Sequence, residues 1–463
     1  MRTPSLWAAL LSWGMALATP VHAADLLQAW QATAQHHPDA AAALATRQAG
    51  DARRLQADRL WNPTVGATAS AGAMGARTSM QGAAFSTPGA STTAGVGFQT
   101  SVHQGPGSQW GVAARLPLYS PERSAQQRQL QLSADLADQQ WTAAQQQLMQ
   151  QTAERYFAVV QAQDGLRVVS HQKAAADRAL AEARDRFALG DAPVTDTREA
   201  EARALGLHAQ ELAAQVDLQV AQQALASFTG WPADALPSLV PAPLQPSHSG
   251  AERPLEEWLA SAEQHNPQIR QQSIALDVAR QEAAKAATAA STTVDLVAKA
   301  GGEHLSGSGR WGQASNASRQ FMVGVQLQVP LYTGGQRDAR WQELLRLQDK
   351  AQSELDSARL SVSQSTRATW LRLQAGAART RALESAANAS RLRLESTQLG
   401  RQVGDRTTLD LLLAQNDAAQ AEWTLLQHRS AMALERLRLL ALTGQLNDAA
   451  LQMATAHSSE ANP

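Results

Sequence analysis

The feature that most constrains this chain is an abrupt change of period in "QFMVGVQLQVPLYTGGQRDAR", residues 320–340. Up to Leu331 the large apolar residues occupy every second position, and polar residues or glycine fill the other phase except at Met322 and Pro330. This alternation predicts a strand with one apolar face and one polar face. After Gly335 there is no proline until Pro463, and the segment is rich in helix-forming Ala, Gln, Leu and Arg. A strand therefore leads directly into a very long helix.

The transition from a strand to a long helix occurs twice, because the chain contains an internal duplication. Residues 26–38 match residues 255–267, and "LPLYS" at 116–120 matches "VPLYT" at 329–333. The turn sequences "LGDAPVTD" and "VGDRTTLD" follow in the same order. The first copy has about sixteen extra residues within 72–97, and their Gly, Ser, Thr and Ala content predicts a long exposed loop.

These patterns divide the chain into successive segments. The basic Arg2, the apolar run from Leu6 to Ala18 and the small residues before Asp25 are typical of a secretory signal peptide. We predict a signal peptide at 1–23, a first repeat at 24–230, a Pro-rich linker at 231–254, a second repeat at 255–444 and a C-terminal tail at 445–463.

Each repeat has the same predicted order of elements, in which a helix is followed by a strand pair, a long helix and a return helix. The predicted strands are 64–72 and 109–119 in the first repeat, and 293–301 and 320–332 in the second. The predicted long helices are 121–189 and 194–227, then 336–401 and 407–442. The longest would span roughly 100 Å, and apolar steps of four and three along them predict coiled-coil packing.

Strands of about ten residues are long enough to cross a bilayer as part of a tilted β-barrel. Four strands cannot close a barrel, and unpaired edges are not tolerated in lipid, so other copies of the chain must complete it. Two alternatives remain at this point: a small sheet covering a soluble core, and a soluble coiled-coil rod without a pore.

Three features resemble the TolC family of outer-membrane efflux proteins. They are the duplicated order of elements, "QVPLYTGGQRDAR" at the strand-to-helix junction and "VGDRTTLDLLLAQNDAAQAE" at a helical turn. The resemblance implies a mainly α fold with a membrane β-barrel segment. It further implies a homotrimer, whose 12-strand β-barrel is continued by a 12-helix periplasmic α-barrel. The apolar strand face would then meet outer-membrane lipid, through Phe321, Val323, Val325, Leu327 and Val329.

The resemblance also implies a gate at the periplasmic end. Carried over by position, the latch arginine is Arg406, its partners are Thr195 and Asp196, and Asp410 forms a pore constriction. The sequence departs from the family pattern at two positions, since Arg401 replaces an aromatic latch partner and Leu413 replaces a second acid. The turns themselves, Gly190 with Asp191 and Gly404 with Asp405, are expected to contact a periplasmic adaptor.

Catalytic signatures are missing from this sequence. There is no zinc-protease, phosphate-loop or serine-hydrolase motif and no cysteine, so we expect no enzyme, no catalytic residues, no cofactor and no metal. His36 recurs as His265 beside a proline that ends a helix, which favours a structural role over metal binding. The formal net charge of −1 argues against a nucleic-acid partner.

The sequence therefore indicates the exit duct of a tripartite efflux pump or a type I secretion system. Its expected partners are a periplasmic adaptor and an inner-membrane pump or ABC exporter, and its expected location is the outer membrane of a Gram-negative bacterium. The alternative function is a periplasmic or surface coiled-coil binding protein. The exported substrate, whether drug, metal or protein, is not encoded in any motif that we recognise.

Overall fold

The computed structural model describes residues 25–85, 88–89, 91–191, 193–231, 253–288, 291–309, 312–332 and 334–455. The predicted signal peptide, most of the linker and the end of the tail lie outside these ranges. The helices within them are α1 Leu26–His36, α2 Pro38–Arg59, α3 Pro121–Ala188, α4 Val194–Thr229, α5 Leu255–His265, α6 Pro267–Thr288, α7 Gln336–Gln402, α8 Thr408–Leu442 and α9 Asp448–Thr455. The strands are β1 Thr64–Phe85, β2 Thr93–Tyr119, β3 Thr293–Gly309 and β4 Gly312–Gln328.

The fold is mostly helical with one sheet, as the sequence predicts. Helices α3 and α7 contain 68 and 67 residues, and both end within one residue of the predicted positions. Within the described segments no helix has the length and the apolarity that a membrane span requires.

The four strands form one antiparallel sheet in the order β1-β2-β3-β4. Leu296 of β3 lies between Leu116 of β2 and Val325 of β4, and the next row pairs Arg115 with Val297 and Val297 with Gly324. Because side chains alternate between faces, this register gathers the apolar residues of all four strands on one side. The apolar face contains Val65, Ala67, Ala69, Ala71, Trp110, Val112, Ala114, Leu116, Val294, Leu296, Ala298, Ala300, Phe321, Val323, Val325 and Leu327.

The opposite, polar face carries most of the hydrophilic side chains of the sheet. Arg115 and Asp295 form an ion pair on it, with 3.3 Å between the guanidinium Nε and the carboxylate. The other polar side chains on this face include Thr64, Thr68, Ser70, Gln109, Lys299, Glu303, Gln320, Gln326 and Gln328. The predicted two-faced character of the strand at 320–328 therefore extends to the whole sheet.

Three strands are longer than the sequence predicts. β1 continues to Phe85 instead of residue 72, β2 begins at Thr93 instead of 109, and β3 continues to Gly309 instead of 301. The predicted exposed loop at 72–97 is therefore wrong, since most of it is hairpin. Small and polar residues do not prevent pairing here, because the ladder is made by backbone groups that any residue supplies. β4 differs in both directions, beginning at Gly312 and ending at Gln328, so Val329 lies just beyond it.

The chain divides into two compact units, and each unit draws on both repeats. One contains residues 46–139 and 271–357, and the other contains the described parts of 25–45, 140–270 and 358–455. The second unit has an apolar core in which Leu26, Leu225, Leu437 and Leu451 are fully buried. The repeats are thus interleaved and are not separate domains.

The duplicated His-x-Pro and Thr-Gly sequences contact each other in both repeats. Gly230 closes α4 with φ of 76°, and a Cβ added to it would lie 2.9 Å from Cγ of His36. Gly444 follows α8 with φ of 67°, and its Cβ would lie 2.4 Å from the carbonyl oxygen of His265. Each histidine also places Nδ1 within 3.2 Å of the carbonyl four residues earlier. These contacts give the recurring motifs the same packing role in both repeats.

Candidate functional site

The turn after each long helix closes in the same way. Gly190 and Gly404 have φ of 78° and 81°, a conformation that glycine adopts without a steric penalty. The amide of Asp191 donates to the carbonyl of Arg186 at 2.9 Å, and that of Asp405 donates to the carbonyl of Gly400 at 2.8 Å. This is the Schellman arrangement of hydrogen bonds, in which a glycine in the left-handed conformation ends a helix.

Large apolar side chains are exposed at both turns. Leu189 is 77% exposed and Val403 is 80% exposed, and the two occupy equivalent places immediately before the turn glycines. The same exposure therefore recurs in both repeats.

A groove of about 1120 Å³ lies between the two turns, and we call it the tip groove. Its lining includes the predicted gate residues Asp196, Arg401 and Arg406, the turn residues Gly404 and Asp405, and Leu413. Residues from both repeats therefore line the same groove. Thr195 lies beside the groove and donates its hydroxyl to Asp196 at 3.4 Å.

The direct ion pair in the tip groove joins Arg401 of α7 to Glu182 of α3. Both side chains are about one-third exposed, at 32% and 36%. Within the described part of the tip, no direct ion pair connects Arg406 with Asp196. The residue that departs from the family pattern, Arg401, thus makes the link between repeats that was expected of Arg406.

A second link between repeats lies further along the same helices. Arg203 of α4 donates to Oδ1 of Asn416 in α8 at 2.8 Å, and Gln172 of α3 donates to the same oxygen at 3.4 Å. No local sequence pattern identifies Glu182, Arg203 or Asn416, because their partners are more than 200 residues away in the chain.

Arg406 lines the tip groove and also a second cavity, which it shares with Asp410. Its side chain packs on Gly400, where an added Cβ would be 2.8 Å from Cγ of Arg406. A smaller cavity of about 190 Å³ is lined by Arg393, Arg406, Asp410 and Leu413. The predicted pore residue and the predicted latch residue are therefore neighbours within one repeat.

Asp410 also has a structural role that the sequence analysis missed. It forms a capping box with Thr407, which accepts from the Asp410 amide at 3.1 Å while the Asp410 carboxylate accepts from the Thr407 amide at 3.0 Å. The spacing Thr-x-x-Asp before an apolar run is the signal that could have revealed it. Thr407 is the N-cap residue of α8.

The same contacts determine the charge of Asp410. The amide and hydroxyl of Thr407, followed by Arg406 and Arg393, lower the pKa of this carboxyl. A lowered pKa means that the contribution of this group to stability is present above its unfolded value and is lost as the pH falls through the folded value. At neutral pH Asp410 is therefore an anion that completes the capping box of α8 and faces a small cavity.

Comparison with known proteins gives a consistent result. The sequence matches the family described as outer membrane efflux protein over residues 29–231 and 258–445. It is 31% identical over 365 residues to the outer membrane protein TolC of Vibrio cholerae, covering 77% of each chain. It is 26% identical over 353 residues to the alkaline protease secretion protein AprF of Pseudomonas aeruginosa, covering 74% of this chain and 70% of that one.

Solved structures show the same fold. The outer membrane protein VceC of Vibrio cholerae superposes with a TM-score of 0.68 at 18% identity, covering 91% of this chain and 97% of VceC. The CmeC outer membrane channel of Campylobacter jejuni superposes with a TM-score of 0.69 at 14% identity, covering 96% and 94%. The duplicated helix and strand order is thus that of known outer-membrane channels.

Proposed function

The chain belongs to the outer membrane efflux protein family and is an outer-membrane exit duct of a Gram-negative cell; we propose that it works as a homotrimer opened by partners in the periplasm. The observation that supports assembly from several copies is the sheet, and the number three follows the resemblance to the TolC family. β1 and β4 are its two edges, and an apolar face extends across all four strands. Backbone groups in a bilayer must be paired, so β4 of one copy would pair with β1 of the next. Three copies close a barrel of 12 strands.

The height of the apolar face fits a bilayer. Trp110 lies at one end of it, with its indole over Gly302, and Tyr119 lies at the other end beside Val294. The nine residue steps between these aromatic residues span about 31 Å along the strand, or about 23 Å in height at a tilt of about 40°. This is close to the apolar band of about 25 Å in outer-membrane barrels, which is flanked by aromatic residues at both interfaces.

The return helix α4 has an exposed apolar stripe that supports the same assembly. Leu205, Leu212, Val216 and Val220 are each more than half exposed, and their spacing of seven and four places them on one helix face. A soluble helix rarely leaves such a stripe in water. In the proposed trimer this stripe packs against helices of a neighbouring copy, and the twelve helices form the periplasmic tube.

The tube is passive, since no nucleotide-binding motif is present in the chain. Energy for export would come from an inner-membrane pump or ABC exporter, reached through a periplasmic adaptor. The exposed Leu189 and Val403, beside Asp191 and Asp405, supply an apolar and acidic surface for such an adaptor. The names of the relatives support both efflux and type I secretion as uses of the duct.

Channel activity is the direct test of the proposal. The purified protein should migrate as a heat-resistant trimer, fractionate with outer membranes and conduct ions in a planar lipid bilayer. A monomer found in the soluble periplasmic fraction, without conductance, would instead support the coiled-coil binding protein.

Adaptor docking at the turns is a separate prediction. A photoreactive residue at Asp191 or Asp405 should capture a periplasmic adaptor in cells, because both positions are exposed beside the apolar turn residues. The matched control is the exposed Gln313 at the start of β4, which should capture no periplasmic protein. Capture of the adaptor at Gln313 but not at the turns would show that the duct has the opposite orientation in the membrane.

A further inference from the structure

The two hairpins of the sheet differ at their outer ends. β3 and β4 pair in an unbroken register up to Gly309 and Gly312. β2 pairs with β3 only as far as Gln104, opposite Ser308, and the strand beyond that point pairs with β1 alone. We call this two-stranded extension, residues 76–85 and 93–102, the hairpin arm. It contains most of the extra residues of the first repeat.

The hairpin arm lies against the polar face of β3. Gly307 and Gly309 are in the same phase as Val297 and Lys299, so a Cβ on either glycine would point to the polar side. A Cβ at Gly307 would lie 2.8 Å from Cγ1 of Val102, and one at Gly309 would lie 1.6 Å from the carbonyl oxygen of Ser101. The base of the arm therefore passes directly over these two glycines.

Glycines of β2 lie on the same face beside them. A Cβ at Gly105 would meet the carbonyl oxygen of Ser306 in β3, and one at Gly107, opposite Leu305, would lie 2.7 Å from Sδ of Met74 in β1. Glycine therefore allows the strands of the sheet to approach closely next to the base of the arm.

An apolar contact accompanies the crossing. Leu305 is on the polar face in the phase of Glu303, yet it is completely buried, and Val102 at the base of the arm is 5% exposed. A leucine on the face that lines water would be exposed if the hairpin continued straight. The burial of both side chains fits an arm that lies across this end of the polar face.

We infer that the hairpin arm narrows the outer mouth of the duct and limits the size of the solutes that leave it. The inference depends on the proposed barrel, in which the polar face lines the lumen. Three arms, one from each copy, would then project over the opening from three sides. Pore width at its narrowest point controls both conductance and the passage of large solutes.

Removal of the arm tests this inference. We would replace residues 76–102 with Asn-Gly, a pair suited to a tight hairpin turn. The shortened protein should still form a conducting trimer, with conductance raised about twofold or more and with larger polyethylene glycols admitted to the pore. Conductance of the unmodified protein supports the proposed duct and does not depend on the role of the arm. A shortened trimer with the parental conductance and size limit would overturn the inference.

Displacement of the arm tests its position without deleting it. A valine at Gly309 would place its Cβ against the carbonyl oxygen of Ser101, so the base of the arm would have to move off the polar face. Gly309→Val should therefore raise the conductance in the same direction as removal of the arm. Gly324→Val is the matched control and should conduct like the parent, since Gly324 lies on the same polar face and an added Cβ meets nothing within 4 Å. Equal conductance of the two variants would show that the arm is not docked on the polar face.

Discussion

Replacing Val325 with arginine is expected to abolish assembly of the protein in the outer membrane. Val325 is 65% exposed on the apolar face and lies about midway between Arg319 and Tyr332, which bound the apolar stretch of the strand. An arginine on the lipid side of a barrel near the midplane costs about 2–4 kcal/mol. A trimer carries three such residues, so the total of roughly 6–12 kcal/mol is comparable to the stability of a whole protein.

The adjacent residue provides the matched control. Gln326 is on the polar face opposite Asp295, so Gln326→Arg places the same side chain in water near a carboxylate. We expect Gln326→Arg to form heat-resistant trimers in the outer membrane at parental levels, and Val325→Arg to be lost from that fraction and degraded. Similar behaviour of the two variants, whether both assemble or both fail, would refute the assignment of faces.

Much of the sheet could be predicted from the sequence, but its extent could not. The strict alternation at 320–328 identified the two faces of β4. In β1 the alternation of Ala and Gly is too weak to identify a face, and only the register with β2 places Val65 beside Ala114 on the apolar side. The hairpin arm was interpreted as a loop because its composition is that of loops. Its pairing depends on backbone hydrogen bonds and on contacts with residues 200 positions away, which composition does not report.

In the candidate gate, too, local features could be predicted from the sequence and contacts between distant residues could not. Gly190 and Gly404 were predictable because a helix ending in the left-handed conformation favours glycine, a local requirement. The capping box of Thr407 and Asp410 is also local and was readable, although it was not recognised. The pairing of Arg401 with Glu182 is different in kind, since it depends on how two long helices align across 219 residues of sequence.

Loss of the ion pair between Arg401 and Glu182 is expected to raise the single-channel conductance of a closed duct. We propose that this pair, rather than Arg406 with Asp196 and Thr195, is the main latch between the repeats. A partly exposed ion pair contributes up to about 1 kcal/mol. If the three copies open together, the contributions add to about 3 kcal/mol, or about 100-fold in the ratio of closed to open channels.

Charge exchange separates a latch from a general loss of stability. Arg401→Glu and Glu182→Arg should each open the channel, and the double exchange should restore low conductance, because the pair is re-formed with its direction reversed. Arg406→Ser and Asp196→Ala should change conductance less than Arg401→Ser does. If Arg406→Ser opens the duct and Arg401→Ser conducts like the parent, the latch is at Arg406 after all.

Asp410 can be tested in the same recordings. Three copies of this anion around one axis would favour cations, so loss of its charge should weaken cation selectivity. Asp410→Ala would remove both the charge and the capping box, whereas Asp410→Asn removes the charge and keeps an oxygen that can accept from the Thr407 amide. We therefore expect Asp410→Asn to reduce selectivity while leaving trimer stability nearly parental. Parental selectivity in Asp410→Asn would mean that this carboxylate serves α8 alone and does not line the pore.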